Sequence, residues 1–389
     1  MKKAPFAAAS AWVLLAIALF GPRPSQAEPY LAVRSGLKCS FCHVNRTGGG
    51  MRTDVFQQAA AGFLKYPRGL FAEPGDAAER FSGKLAGGLS LGADFRALNV
   101  SRFQDDPDGE GRVPLNRLAR SFQANEFEID EALGYLRADL VPDALSFYAA
   151  ESFAPGGAAS REALLLIPVA VLDGGYVKVG QFYPPFGLRL QDDGAFTRAR
   201  TGFNFSNPDQ GMELGIDAGG ASGAVSVTNG GSGSGAGSAK LYAANATYLK
   251  PGIPFLRSVM LGASVARNDL SRETFYGAYL GTSPWRLTFL AEANLIRSET
   301  ESGETVDRAA AHAEVDWLVV DWLNARLAYD YYDPDRELKQ DHQDRFTVGL
   351  EPFLSRFLQL RLSYVVANGI PQRPQDSAAE LRAEVHLFY

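Results

Sequence analysis

The sequence AELRAEVHLFY, residues 379–389, closes the 389-residue chain with a strict two-residue alternation. Apolar side chains stand at the odd positions, and mostly charged or polar side chains stand at the even positions between them. Because successive side chains of a strand point to opposite faces of a sheet, this pattern predicts a β-strand with one apolar and one polar face. The apolar face would be the core of a soluble sandwich, but it would face lipid in a membrane barrel.

Similar alternation recurs through most of the chain, for example in residues 285–295 and 358–364. Segments of roughly ten residues between turn signals amount to about sixteen strands from residue 84 to residue 389. Long or polar connections alternate with short ones, as bacterial outer-membrane barrels alternate outer loops with periplasmic turns. The sequence therefore predicts a mainly β fold, an antiparallel transmembrane barrel of about sixteen strands. A secreted all-β domain is the alternative.

The stretch KVGQFYPPFGLRL, residues 178–190, places two prolines and a glycine directly after a predicted strand. Proline ends ladder pairing, and the residues that follow are numerous enough for a loop that folds into the barrel. Part of the stretch, GQFYPPFG, resembles a short region of the phosphate-selective type of porin. That resemblance favours a barrel without indicating specificity for phosphate.

The N-terminus has the features of an export signal. Lys2 and Lys3 precede an apolar run, residues 7–20, that is too short to span a bilayer, and small residues precede Glu28. We therefore expect residues 1–27 to be a cleaved signal peptide, residues 28–83 a short N-terminal segment, and residues 84–389 the barrel. A formal net charge of -6 argues against nucleic acid as a partner.

The two cysteines of the chain both lie in the sequence CSFCH, residues 39–43. At this C-x-x-C-H spacing Cys39 and Cys42 can form thioethers with one haem, while His43 coordinates the iron as the proximal ligand. A dithiol redox site lacks its βαβ context here, a zinc site lacks further cysteines, and a disulfide across two residues would be strained. We therefore expect one covalently bound haem c in residues 28–83.

The second axial ligand is less evident from the sequence. Met51 is the nearest candidate, and His312 is expected on the lumenal face of its strand, where it is a candidate for a haem or metal contact. The other possible ligands are His342, His386, Met212, Met260 and a water molecule. The sequence does not choose among them.

The order of these features resembles the fused outer-membrane cytochrome-porin family, in which a signal peptide, a monohaem cytochrome c segment and a porin barrel share one chain. The lead-in AVRSGLKC, residues 32–39, is also similar to the family's approach to its haem motif, whereas residues 44–54 depart from the pattern of its better-known iron oxidases. The resemblance implies that Cys39 and Cys42 hold the haem, that His43 ligates its iron, and that the haem segment plugs the barrel lumen.

The function expected from this resemblance is that of an electron conduit in the bacterial outer membrane. An extracellular donor such as Fe(II) would reduce the haem, and a periplasmic electron-carrier cytochrome would remove the electron, as in an Fe(II):cytochrome c oxidoreductase. Three alternatives stay open at this point. The barrel could be a porin-like channel with a structural haem, a scaffold around a partner cytochrome, or a conduit that exports electrons to an external acceptor.

Overall fold

The structure is a computed structural model that describes residues 28–53, 66–67, 83–104, 121–231, 239–300, 302–355, 357–370 and 377–389. The predicted signal peptide lies outside these residues. In the described ranges the chain forms sixteen strands: β1 (Leu89–Gln104), β2 (Ser121–Val141), β3 (Leu145–Ala154), β4 (Ala159–Pro168), β5 (Gly175–Phe182), β6 (Asp209–Ala218), β7 (Ala221–Thr228), β8 (Leu241–Ile253), β9 (Arg257–Asn268), β10 (Glu273–Thr282), β11 (Leu287–Glu299), β12 (Thr305–Val320), β13 (Leu323–Asp333), β14 (Gln343–Ser355), β15 (Leu358–Asn368) and β16 (Ala378–Phe388).

These strands form one closed barrel in which each strand pairs antiparallel with its neighbours in sequence. The first and last strands close the barrel, with Arg96 of β1 opposite His386 of β16. This architecture confirms the predicted fold. Connections at one end are short, such as residues 321–322 between β12 and β13. Connections at the other end are longer, such as residues 334–342 between β13 and β14. We call these ends the short-turn rim and the long-loop rim.

The barrel buries polar side chains and exposes apolar ones. On β14, Val348 and Leu350 are 55% and 46% exposed, whereas Thr347 and Glu351 are 2% and 5% exposed. The same alternation appears on β11, where Glu292 and Asn294 face inward and are buried. A water-soluble protein would show the opposite arrangement. The outer surface is therefore suited to lipid, and the lumen is filled with polar groups and with the N-terminal segment.

The N-terminal segment enters the lumen as a short helix, α1 (Pro29–Ser35), and continues through a single helical turn, α2 (Cys39–Cys42). Proline suits the first turn of α1, and Gly36 ends the helix in the left-handed region with φ of 70°. α1 buries Tyr30, Leu31 and Val33. None of the helices in the described ranges has the length and apolar character needed to cross a membrane.

The penultimate residue, Phe388, does not lie in an aromatic girdle at the membrane interface. Terminal aromatic residues of such barrels are expected in the girdle at the membrane interface, but the Phe388 side chain is 1% exposed and lies inside the lumen. Its ring packs edge-on against Phe353, with centroids 6.3 Å apart, and the Arg52 guanidinium lies over it. The reason is register, because Phe388 shares the inward face of β16 with His386.

Candidate functional site

The sequence CSFCH is held in the lumen by a small β-ribbon. After the turn of α2, His43 pairs with Arg52 in an antiparallel bridge, and the Val44 amide donates to the Met51 carbonyl at 2.9 Å. Cys42 is buried, whereas the Cys39 side chain is exposed within the barrel. Both thiols are free. The ribbon therefore fixes the direction of the histidine that follows the two cysteines.

The His43 imidazole has a defined orientation. It is 2% exposed, and its Nδ1 lies 3.1 Å from the Gly50 carbonyl oxygen, to which only a protonated nitrogen can donate. The lone pair is therefore on Nε2, in the arrangement common to metal-ligating histidines. Burial, together with the nearby Arg52 charge, lowers the pKa of His43 to about 3, so the ring is neutral at physiological pH. Burial also raises the pKa of the Cys42 thiol to about 11.

Cys39, Cys42 and His43 border one cavity, which we call the motif cavity, with about 790 Å³ of empty space that is partly open to solvent. The barrel contributes the rest of the lining, including Leu188, Arg189, Met260 and Tyr279. The motif cavity therefore lies between the N-terminal segment and the barrel wall.

The residues after the motif dock against the part of the wall formed by β3 to β6. The Asn45 side-chain amide donates to the Glu162 carboxylate at 2.6 Å, and its oxygen accepts a hydrogen bond from the Lys178 ammonium at 2.7 Å. Lys178 is fully buried and also pairs with Glu213 at 2.7 Å. The Met51 amide donates to the Tyr148 hydroxyl at 3.0 Å. A dedicated polar network thus holds the N-terminal segment in place.

Helix α1 and its flanks contact several other strands near the short-turn rim. Arg34 donates to Thr288 at 3.2 Å and to Asn324 at 3.0 Å. Glu28 pairs with Arg361, and Lys38 pairs with Asp217. These contacts, distributed around the barrel, place the N-terminal segment in the short-turn half of the lumen.

The connection between β5 and β6 folds into the barrel, as the length of the stretch after its prolines predicts. We call residues 183–208 the inward segment. Its Arg189 donates to the Gly48 carbonyl at 2.8 Å, and its Leu188 amide donates to Glu292 of β11 at 3.0 Å. A short helix within it, α3 (Phe196–Ala199), contacts β12 and β13. The inward segment therefore separates the N-terminal segment from the long-loop rim.

The structure places Met51 and His312, the two leading candidates for the second ligand, away from the motif cavity. Met51 packs with Val44, Tyr135 and Tyr148, on the face of the ribbon opposite to His43. His312 is buried in the lumen as expected, with Nδ1 2.8 Å from Asp330 and Nε2 3.5 Å from Glu314. In the described ranges, no group of three or more histidine, cysteine or acidic residues has a metal-binding arrangement.

Comparison with known proteins bears on the barrel. No family model matches the chain, and no curated protein matches it in sequence. Among solved structures, OmpT of Vibrio cholerae is similar with a TM-score of 0.53 at 10% identity, over 79% of this chain and 99% of that one. The fold is porin-like.

Two further structures have the same porin-like barrel. The anion-selective porin from Comamonas acidovorans matches with a TM-score of 0.52 at 11% identity, over 77% of this chain and all of that one. OprB of Pseudomonas putida matches with a TM-score of 0.55 at 8% identity, over 77% and 94% of the two chains. At these identities the likeness concerns the fold alone.

The residues around the motif cavity meet the requirements of a covalently held haem c. Two thiols adjoin the motif cavity, and an adjacent neutral imidazole has its Nε2 lone pair available. Arg189 borders the same space with a positive charge that suits the carboxylates of a haem.

Several residues of the site have only weak signals in the sequence. Arg189 is one of many arginines in the chain. The lysine of KVGQF, Lys178, lies on the lumenal face of its strand, and only that inward position could have suggested a buried role. Asn45 and Gly50 lie in a glycine-rich stretch that also suits a flexible loop. Asn45 bonds to Glu162, and a Cβ at Gly50 would meet Tyr148, so both residues depend on strand residues more than 90 positions away.

Proposed function

We propose that this protein is an electron conduit of the bacterial outer membrane, in which one haem c is bound through Cys39 and Cys42 and ligated by His43. The observation that carries the proposal is the position of the CSFCH sequence, inside a closed porin-like barrel and beside a cavity lined by both parts of the chain. A bound haem supplies a one-electron carrier. The barrel supports residence in the membrane through its apolar outer surface, and the short-turn rim corresponds to the periplasmic side.

The chain's own residues would position and insulate this carrier. His43 is kept neutral and oriented by Gly50, while the Asn45–Lys178–Glu162 contacts hold the N-terminal segment against the wall. The inward segment lies between the motif cavity and the long-loop rim. A soluble cytochrome could approach from the short-turn rim, near which the N-terminal segment docks. Each extracellular Fe(II) oxidised to Fe(III) would release the one electron that reduces one periplasmic ferricytochrome.

The proposal is tested in proteoliposomes that enclose a soluble ferricytochrome. We expect Fe(II) added outside to reduce the enclosed cytochrome when the purified full-length protein spans the membrane. A Cys39→Ser, Cys42→Ser double variant, with the same barrel, is expected to transfer no electrons. Equal reduction by the double variant, or none by the wild-type protein with its haem attached, would contradict the proposal. Reversing the positions of donor and acceptor tests the opposite direction of flow.

A second candidate function is that of a porin-like channel. A separate cavity, with about 1,470 Å³ of empty space partly open to solvent, lies beside the N-terminal segment. Charged side chains of both signs line it, including Arg96, Arg326, Asp192 and Glu351. Solute flux measured in the same proteoliposomes distinguishes the two functions, because a channel would pass small ions whether or not the two cysteines are present.

A further inference from the structure

One methionine of the barrel wall reaches the motif cavity. Met260, on β9, is 7% exposed and borders this cavity together with Cys39, Cys42 and His43. It also belongs to the apolar cluster that contains Cys42 and Leu188. Residue 260 is more than 200 positions from the cysteines in sequence, and the closure of the barrel brings them together.

The other methionine and histidine side chains in the described ranges are elsewhere or already engaged. Met51 lies on the far face of the ribbon, and Met212 is 57% exposed on the outer surface. His312 contacts Asp330 and Glu314, His386 lies between Gln359 and Asp94, and His342 stacks on Tyr331. None of these side chains lines the motif cavity. Of the described residues of these two types, Met260 alone joins His43 there.

We propose that Met260 would supply a second protein ligand to the haem iron, in addition to His43. This inference rests on the proposed function, because it requires a haem at Cys39 and Cys42. A methionine side chain has three rotatable bonds and a polarizable sulfur, so it can turn toward a metal without movement of its strand. The cofactor would then be ligated by the N-terminal segment on one side and by the barrel wall on the other.

The proposed ligand has a chemical consequence. A methionine opposite a histidine raises the reduction potential of a haem relative to nitrogen ligation on both sides. A higher potential favours acceptance of electrons from an extracellular donor. It also makes the potential depend on the seating of the N-terminal segment, since the two ligands belong to separate parts of the structure.

Three matched variants of the full-length protein test the proposal. Met260→Leu, Met51→Leu and Met212→Leu are each produced in cells that attach haem c, and the haem content per protein is measured first. We expect equal content in all three and in the wild type. The ferric wild-type protein should show the long-wavelength charge-transfer band of a thioether ligand. Met260→Leu alone should lose this band, become high-spin and show a lower reduction potential, and Met260→His should restore a low-spin spectrum.

The outcomes separate this inference from the function on which it rests. Absence of covalent haem from the wild-type protein overturns both. Haem attachment without the thioether band, or a band that persists in Met260→Leu, overturns only the ligand assignment. Loss of the band in Met51→Leu instead would assign the ligand to Met51 and equally overturn the proposal.

Discussion

Gly50 is a residue at which the N-terminal segment has no room for a side chain. A Cβ at this position would lie 2.2 Å from the Tyr148 hydroxyl, and its φ of 67° is in the left-handed region. Its carbonyl also accepts the hydrogen bond from His43. The glycine thus serves both the docking of the segment and the orientation of the His43 imidazole.

We predict that Gly50→Ala loosens the N-terminal segment. The left-handed backbone costs a non-glycine residue about 1–2 kcal/mol, and the overlap with Tyr148 costs about 1–3 kcal/mol more. Hydrogen exchange of residues 38–53 in the purified protein should therefore become faster. Gly252→Ala is the control, because Gly252 has a similar φ of 73° but open space around it. Equal exchange in residues 38–53 of the two variants would show that the contact with Tyr148 is unimportant.

Lys178 permits a second prediction at the same scale. Lys178→Met leaves the Glu213 carboxylate buried without its cation, which costs about 3–5 kcal/mol. Hydrogen exchange of residues 44–50 should therefore be faster in this variant than in the wild-type protein. The double variant Lys178→Met, Glu213→Gln removes the uncompensated charge and should recover most of the protection. A single variant as protected as the wild type would rule out the docking network as a source of stability.

At the scale of elements, the inward segment is held by buried ion pairs. Arg345 of β14 donates to Asp192 of this segment at 2.7 Å and to Asp330 of β13 at 2.9 Å. The Asp330 carboxylate also accepts from the Phe196 amide at the start of α3. Arg345 thereby connects the inward segment to two strands of the wall.

We predict that Arg345→Ala releases the inward segment and increases the ionic conductance of the protein in planar bilayers. Removing one partner of a buried ion pair costs about 3–5 kcal/mol, whereas an exposed pair contributes about 0–1 kcal/mol. Arg297→Ala is the matched control, because the Arg297 side chain is 49% exposed and pairs with Asp307 at 2.8 Å. Unchanged conductance in Arg345→Ala would mean that the segment stays in place without this arginine.

The elements also show what the sequence could predict. Strands such as β11 and β16 were predictable because alternation is a local pattern. The polarity of each residue indicates which face of the sheet its side chain occupies. Pro184 and Pro185 likewise predicted the end of β5. The motif cavity was not predictable, because Met260 and Arg189 meet Cys39 only through the register of the whole barrel. His43 was recognisable from its spacing, whereas its partner Gly50 depended on the geometry of the ribbon.

At the scale of the whole molecule, the outer surface permits a test of membrane residence. Val348 lies near the middle of β14 and is 55% exposed, and Leu270 lies in the turn after β9 and is 54% exposed. We predict that Val348→Arg lowers the free energy of unfolding in liposomes by about 2–4 kcal/mol, because the charge would lie near the bilayer midplane. Leu270→Arg, near the rim, should cost about 0–1 kcal/mol. Equal effects in urea titrations would contradict a membrane-spanning barrel.

The closed seam between β1 and β16 constrains the order of biogenesis. The CSFCH sequence lies inside the ring of strands, where a large attachment enzyme has no access. The proposed haem would therefore have to be joined to Cys39 and Cys42 before the barrel closes. The N-terminal segment leaves the export machinery first, and the strand that closes the barrel leaves last. Haem attachment would therefore have to precede barrel closure. If the barrel closed first, Cys39 and Cys42 would be inaccessible to the attachment enzyme.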